Sequence, residues 1–191
     1  MNDIILSRLC KAYGANKVLE NFSTVIPAGK VTCMMAPSGR GKTTLLRLVM
    51  GLEQPDSGTI SGMAGLKLSA VFQEDRLCEN LSPAANIRLV CPRRSYQDIA
   101  FAMSRVGLSD CLNQPVRELS GGMRRRVALL RALMADYDML ILDEPFKGLD
   151  SETKLGVMED VVRRSQGKTV ILVTHDPKEA KALKADFYIP M

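Results

Sequence analysis

Short apolar runs rich in branched residues stand out at Ile4–Leu6, Val31–Ala36, Leu68–Phe72, Met139–Leu142 and Val170–Val173. Several lack the apolar–polar alternation of a half-exposed strand, which predicts strands of a sheet covered on both faces. Between them apolar residues recur at helical spacing: Leu45, Leu48 and Val49, then Val127, Leu130 and Met134, then Leu155, Met158 and Val162. Strand and helix taken in turn predict a mainly parallel α/β sheet. Asp176, Pro177 and Glu179 read as a helix start: a cap, a first-turn proline and an early carboxylate. From about Glu79 to Ala135 no convincing strand is legible. The expectation is one domain over 1–191, with an α/β core at 1–78 and 136–191 and an inserted helical subdomain at about 79–135.

Composition narrows the class. A chain of 191 residues with 46% hydrophobic and 25% charged residues suits one globular domain with a buried core. Five scattered cysteines without a C-x-x-C pair, and the single His175, fit reduced thiols better than a zinc site. The start has no basic-then-apolar leader, and no run reaches the ~18 apolar residues a membrane span needs. A cytoplasmic protein, reaching the membrane only through a partner, is expected. Formal charge is +5, with clusters at Arg93–Arg94, Arg124–Arg126 and Arg163–Arg164. Three consecutive arginines on a helix fan out at ~100° steps rather than forming a stripe. They read as a solvated helix with some structural ion pairs, and nucleic acid is not expected as a partner.

Residues 36–43, Ala-Pro-Ser-Gly-Arg-Gly-Lys-Thr, follow a strand and open a helix, the setting of a phosphate-binding loop. Gly39 and Gly41 let backbone amides face an anion, and the helix start adds positive partial charge. Lys42 is placed to hold β- and γ-phosphates and Thr43 to ligate Mg²⁺. Glycine is the usual first residue of this loop; Ala36 fits there if its φ is negative. Met139–Leu142 runs into Asp143-Glu144, two carboxylates at the carboxyl end of a buried strand, where α/β sheets bind ligands. Asp143 suits the metal ion, through water, and Glu144 suits accepting a proton from an attacking water. Gln73 and His175 close two other apolar runs; the amide could touch metal and water, and the imidazole could reach the γ-phosphate. Ser120, Gly121 and Gly122 precede a second helix and form a second anion-binding start. One triphosphate does not need two such starts in one chain, so the economical reading closes the second over a nucleotide held by another subunit.

With these elements in this order, the chain resembles the ATP-binding cassette (ABC) ATPases, the nucleotide-binding domains of transporters, and specifically bacterial importers of nitrate, sulfonate, taurine or thiamine-precursor type. The resemblance implies the P-loop NTPase fold with a short N-terminal antiparallel β part. It implies a head-to-tail dimer, most simply a homodimer, sandwiching two Mg·ATP. Pro37, Ser38, Gly39, Arg40, Gly41, Lys42, Thr43 and Thr44 would bind nucleotide, with Tyr13 stacking on adenine. Ser120 and Gly122 would bind the γ-phosphate across the interface, with Gly121 in the same nucleotide-binding turn, and Asp150, of Gly148-Leu149-Asp150, would couple the two sites. It further implies an integral-membrane permease whose cytoplasmic helix enters a groove formed by about Glu74 to Ile87. A substrate-binding protein would act through the permease, and the ATPase would sit on the inner face of the cell membrane. Met123 stands where the signature usually has glutamine. Two alternatives are a nucleic-acid-linked ABC ATPase, for whose usual long insertion the chain has no room, and a degenerate nucleotide-binding regulatory subunit. Lys42, Glu144 and His175 argue against the second.

Overall fold

A computed structural model describes residues 2–37 and 39–189. Strands β1 (Ile4–Tyr13) and β2 (Asn16–Ile26) pair antiparallel, and β4 (Ser57–Ser61) joins the other side of β1. The second sheet holds β5 (Leu68–Val71), β6 (Met139–Asp143), β7 (Thr169–Val173), β3 (Val31–Met34) and β8 (Phe187–Ile189) in that spatial order, all parallel. Six α-helices complete the described residues: α1 (Lys42–Val49), α2 (Pro83–Arg88), α3 (Tyr96–Ser104), α4 (Gly121–Met134), α5 (Ser151–Arg164) and α6 (Pro177–Ala182). None is long and apolar enough to cross a membrane.

Both faces of the parallel sheet are covered, which is why its strands lack polar alternation. Met139 and Ile141 of β6, with Ile171 and Val173 of β7, pack beneath α1 and the inner residues Ile4, Leu6, Leu9 and Leu19 of the antiparallel sheet. Leu140 and Leu142, with Val170 and Leu172, face Val127, Leu130 and Leu133 of α4 and Val157 and Val161 of α5. Successive side chains of one strand thus feed two separate cores, as the period-two geometry of a strand requires. From Glu79 to Ala135 the described residues form helices and turns and no strand. The last of these helices, α4, lies on the sheet itself: the Ser69 hydroxyl of β5 donates to the Ala132 carbonyl at 2.8 Å.

One expectation fails on α5. Leu155 was placed on the apolar face by its spacing, yet it is 61% exposed, and the buried face runs through Val157, Met158 and Val161 with Asp160 among them. A reading that counts only apolar residues cannot place a buried carboxylate. Asp160 is 1% exposed and lies among three guanidinium groups: Arg164 Nε donates at 2.7 Å, Arg163 also donates, and Arg105, just beyond α3, stands 3.5 Å away. Burial by itself pushes this carboxyl up; the bonds from Arg163 and Arg164 outweigh it and hold the group below the ordinary carboxylate range. Arg163 and Arg164 thus form a structural ion-pair cluster with Asp160 within α5, and Arg105 at the end of α3 joins it from across the helix pair.

A group whose folded pKa is depressed contributes stability that is present above its unfolded value, about 3.9, and is lost as pH falls through the folded one. Asp160→Asn should therefore lose about 1.5–3 kcal/mol at neutral pH, because it removes the buried charged acceptor of the Arg163 and Arg164 hydrogen bonds. The gap should narrow as pH falls well below the unfolded value, where the parent carboxyl takes up its own proton. Denaturant unfolding of both proteins from neutral pH down through that range measures it.

Candidate functional site

Strand order decides which loops meet. The phosphate loop leaves β3, Gln73 lies two residues beyond β5, Glu144 follows β6 directly, and His175 lies two residues beyond β7. Because β6 and β7 stand between β5 and β3, all four carboxyl ends open along one edge, where parallel sheets bind ligands. A cleft of about 410 Å³ there is lined by Gly39, Gly41, Lys42, Thr43, Thr44, Gln73, Asp143 and Glu144, with Val18 of β2.

Gly41 caps α1 with φ 83° and has no side chain to offer the first-turn amides, which leaves them free for an anion. Its backbone also runs against β2: a Cβ there would lie 2.9 Å from Val18 Cγ1 and 3.1 Å from the Val18 carbonyl oxygen. Lys42 Nζ folds over the loop and donates to the Pro37 carbonyl at 2.9 Å and to that of Ala36. Ala36 is not among the residues of positive φ, so alanine is unstrained at that position. Pro37 and Arg40 are exposed on the loop, and Ser38 lies outside the described residues.

Across the cleft, burial pushes the Asp143 carboxyl up. The neighbouring Glu144 carboxylate adds to the rise, and Arg125 and Lys42 pull it part of the way back. Glu144 occupies the left-handed region, φ 47°, with its N–H donating to the Val173 carbonyl at 2.9 Å. Its Oε1 lies 2.9 Å from His175 Nδ1, so His175 reaches the carboxylate, its own ring being 76% exposed. Thr43, Gln73 and Asp143 bring a hydroxyl, an amide and a carboxylate to one cleft, a hard-oxygen set that suits Mg²⁺. Among the described residues no group of three His, Cys, Asp or Glu stands ready to hold a metal alone. An ion held here would take its remaining ligands from phosphate and water.

The remaining expected residues do not line this cleft. Ser120 caps α4, its hydroxyl oxygen accepting from Met123 N–H at 3.3 Å, and Gly122 faces Gly148 and Leu149. Asp150 caps α5 by accepting from Thr153 N–H at 2.9 Å. Tyr13 is 45% exposed and donates its hydroxyl hydrogen bond to Glu53. Two residues in the site went unread in the sequence. Val18 sits on a strand with no apolar run to announce it. Arg125 is buried, with its guanidinium behind both the Gln73 and Glu144 loops. Its neighbours are also engaged within the chain, Arg124 with Glu79 at 2.8 Å and Arg126 with the Val106 carbonyl at 2.7 Å.

Residues 19–147 match the ABC transporter family. The chain belongs to that family. It is 38% identical over 93% of its length to the aliphatic sulfonates import ATP-binding protein SsuB 1 of Rhizobium johnstonii, of which it spans 69%. It is likewise 38% identical over 94% of its length to SsuB 1 of Burkholderia cenocepacia, of which it spans 58%. Against the thiamine import ATP-binding protein ThiQ of Chelativorans sp. it is 35% identical over 93% of its length, spanning 79% of that relative. With this membership the cleft reads as an ATP site.

Gly41→Ala should lose both stability and nucleotide affinity, because the new methyl meets the β2 backbone and φ 83° strains any L side chain. Thermal unfolding and an ATP titration on the same preparation should show both losses.

Proposed function

We propose that this chain is the ATP-binding, ATP-hydrolysing subunit of a bacterial ABC importer, powering a separate membrane permease. The observation that carries the reading is the cleft itself: Lys42, Thr43, Gln73, Asp143 and Glu144 face one another, with His175 on Glu144. Family membership and relatives named as import ATP-binding proteins support it. These relatives are named for different cargoes, sulfonates and thiamine, so the cargo is not written in this chain.

The loop amides and Lys42 bind the triphosphate, while Thr43, Gln73 and Asp143 hold Mg²⁺, which neutralises phosphate charge when bound. Glu144 accepts the proton of the attacking water, and His175 orients Glu144 and reaches toward the γ-phosphate. Pro37, Ser38, Gly39, Arg40, Gly41 and Thr44 complete the nucleotide cradle and Tyr13 supplies the adenine platform. Ser120, Gly121 and Gly122 lie off the Lys42 cleft, which favours their use in trans: they cover the γ-phosphate held by a second subunit, with Asp150 at the junction. Residues 79–135 act as the helical subdomain that carries this second anion site. A groove of about 460 Å³ between Leu46 and Arg47 of α1, with Met50 just after it, and the Phe72–Arg76 segment supports docking of a permease helix there, on the inner face of the membrane. A substrate-binding protein acts through that permease.

Glu144→Gln should keep ATP affinity and cut turnover by roughly 10²-fold or more, as loss of a positioned base does. Parent-like hydrolysis in that variant would remove Glu144 from its role. Ser120→Asn keeps a competent helix cap. It should therefore melt like the parent yet fail to form the ATP-bound dimer, read by sedimentation in the Glu144→Gln background. A dimer formed normally would sink the trans assignment.

A further inference from the structure

Arg125 is 4% exposed, and its five N–H groups meet six oxygen acceptors. Nε donates to the Pro145 carbonyl at 2.8 Å, and Nη2 to those of Asp143 at 2.9 Å and Glu144 at 2.7 Å. Nη1 donates to the Phe72 carbonyl at 2.6 Å and to Asp75 Oδ1 at 3.1 Å, with the Gln73 carbonyl at 3.4 Å. The acceptors divide cleanly. One set belongs to the loop that ends β6 and carries Glu144, the other to the loop that ends β5 and carries Gln73. Arg131, further along α4, donates to the Asp75 and Arg76 carbonyls at 3.2 and 2.8 Å, so the same helix grips the second loop twice.

Glu144 is strained at φ 47°, a conformation that persists in a non-glycine residue only where its surroundings over-determine it. Its N–H is held by the Val173 carbonyl, and the carbonyls on both sides of its Cα are held by Arg125 Nη2. Both flanking peptides are thus fixed, and with them the direction in which the carboxylate leaves the backbone. A planar guanidinium can serve two loops at once because its N–H groups diverge in a fixed fork, whereas an ammonium presents three donors from one point. An arginine serving stability alone would not need to divide its donors between the two loops that bear Gln73 and Glu144.

We propose that Arg125 is a positioning residue: it holds Glu144 in its left-handed conformation and locks the Gln73 segment to it, so that a shift of either loop is passed to the other. The inference rests on the reading of Glu144 as the base and of the Gln73 segment as the permease-facing groove. It adds the physical link between them, and places that link on the helix that Ser120 caps.

The test is steady-state ATP hydrolysis by the full chain carrying Arg125→Lys, which keeps charge and stem but not the fork. Turnover should fall by roughly 10²-fold, the scale of a ~1 Å misplacement, while KM for ATP stays within about threefold of the parent, since among the described residues Lys42 and the phosphate-loop amides make no hydrogen bond with Arg125. A structural role alone would lower only the folded fraction and leave kcat per folded molecule unchanged, and that result, or a parent-like kcat, overturns the proposal. Should Arg125→Lys fail to fold, Asp75→Ala decides. It removes only the ionic grip on the Gln73 segment and should lower kcat several-fold at constant KM; unchanged kcat there overturns the link. Failure of the underlying reading looks different, because then Glu144→Gln itself hydrolyses ATP normally.

Discussion

The constraint on which this structure depends is that its parallel sheet must be covered on both faces. Residues such as Ile141 and Leu142 leave β6 in opposite directions, one toward α1 and the antiparallel sheet, the other toward α4 and α5. Each fully buried side chain of this kind contributes about 1.5–3 kcal/mol by leaving water. Such strands cannot slip by one residue without exchanging the contents of two packed cores. The loops at the carboxyl edge are consequently mounted on a frame with one register. β7 pairs with both β3 and β6, and it is this placement that sets His175 between the phosphate loop and Glu144.

On that frame the site concentrates features that oppose folding and suit anion chemistry. Asp143 is buried beside a second carboxylate, which favours its neutral form, and the cations nearest to it are Arg125 and Lys42. Glu144 carries backbone strain. Gly41 replaces a capping side chain with open amides. A magnesium–triphosphate complex would answer all three: positive charge for the carboxylates, phosphate oxygens for the amides, and use for a carboxylate already aimed. The strained, under-compensated residues are those whose deficit such a ligand would make good.

The two helix starts show how similar sequence signals part company in the fold. α1 begins with a glycine and presents free amides to the Lys42 cleft. α4 begins with Ser120, which satisfies one of the helix's own amides through Met123 N–H and does not line that cleft, while Gly122 lies beside Gly148 and Leu149. Asp150 in turn caps α5. Ser120 and Asp150, both expected to act across an interface, therefore each carry a local capping job as well, and a substitution that ignores the cap confuses the two.

Much of this was legible beforehand, for a physical reason. Strands buried on both faces announce themselves as apolar runs, so β3, β5, β6 and β7 were read to within a residue or two, and the chemistry at their ends followed. β1 was read only at Ile4–Leu6, because register shifts beyond Leu6 and the positive φ of Arg8 break its alternation; β4 is largely exposed with one apolar residue, and β8, though apolar, spans only three residues. By itself the sequence determined local matters: which segments must be buried, which loop offers amides to phosphate, which carboxylates end a core strand. It could not determine that β7 lies between β3 and β6, that Asp160 is buried among arginines while Leu155 faces water, or that Arg125 joins two loops. Those follow from contacts between residues far apart in the chain, whose partners appear only when the sheet has closed.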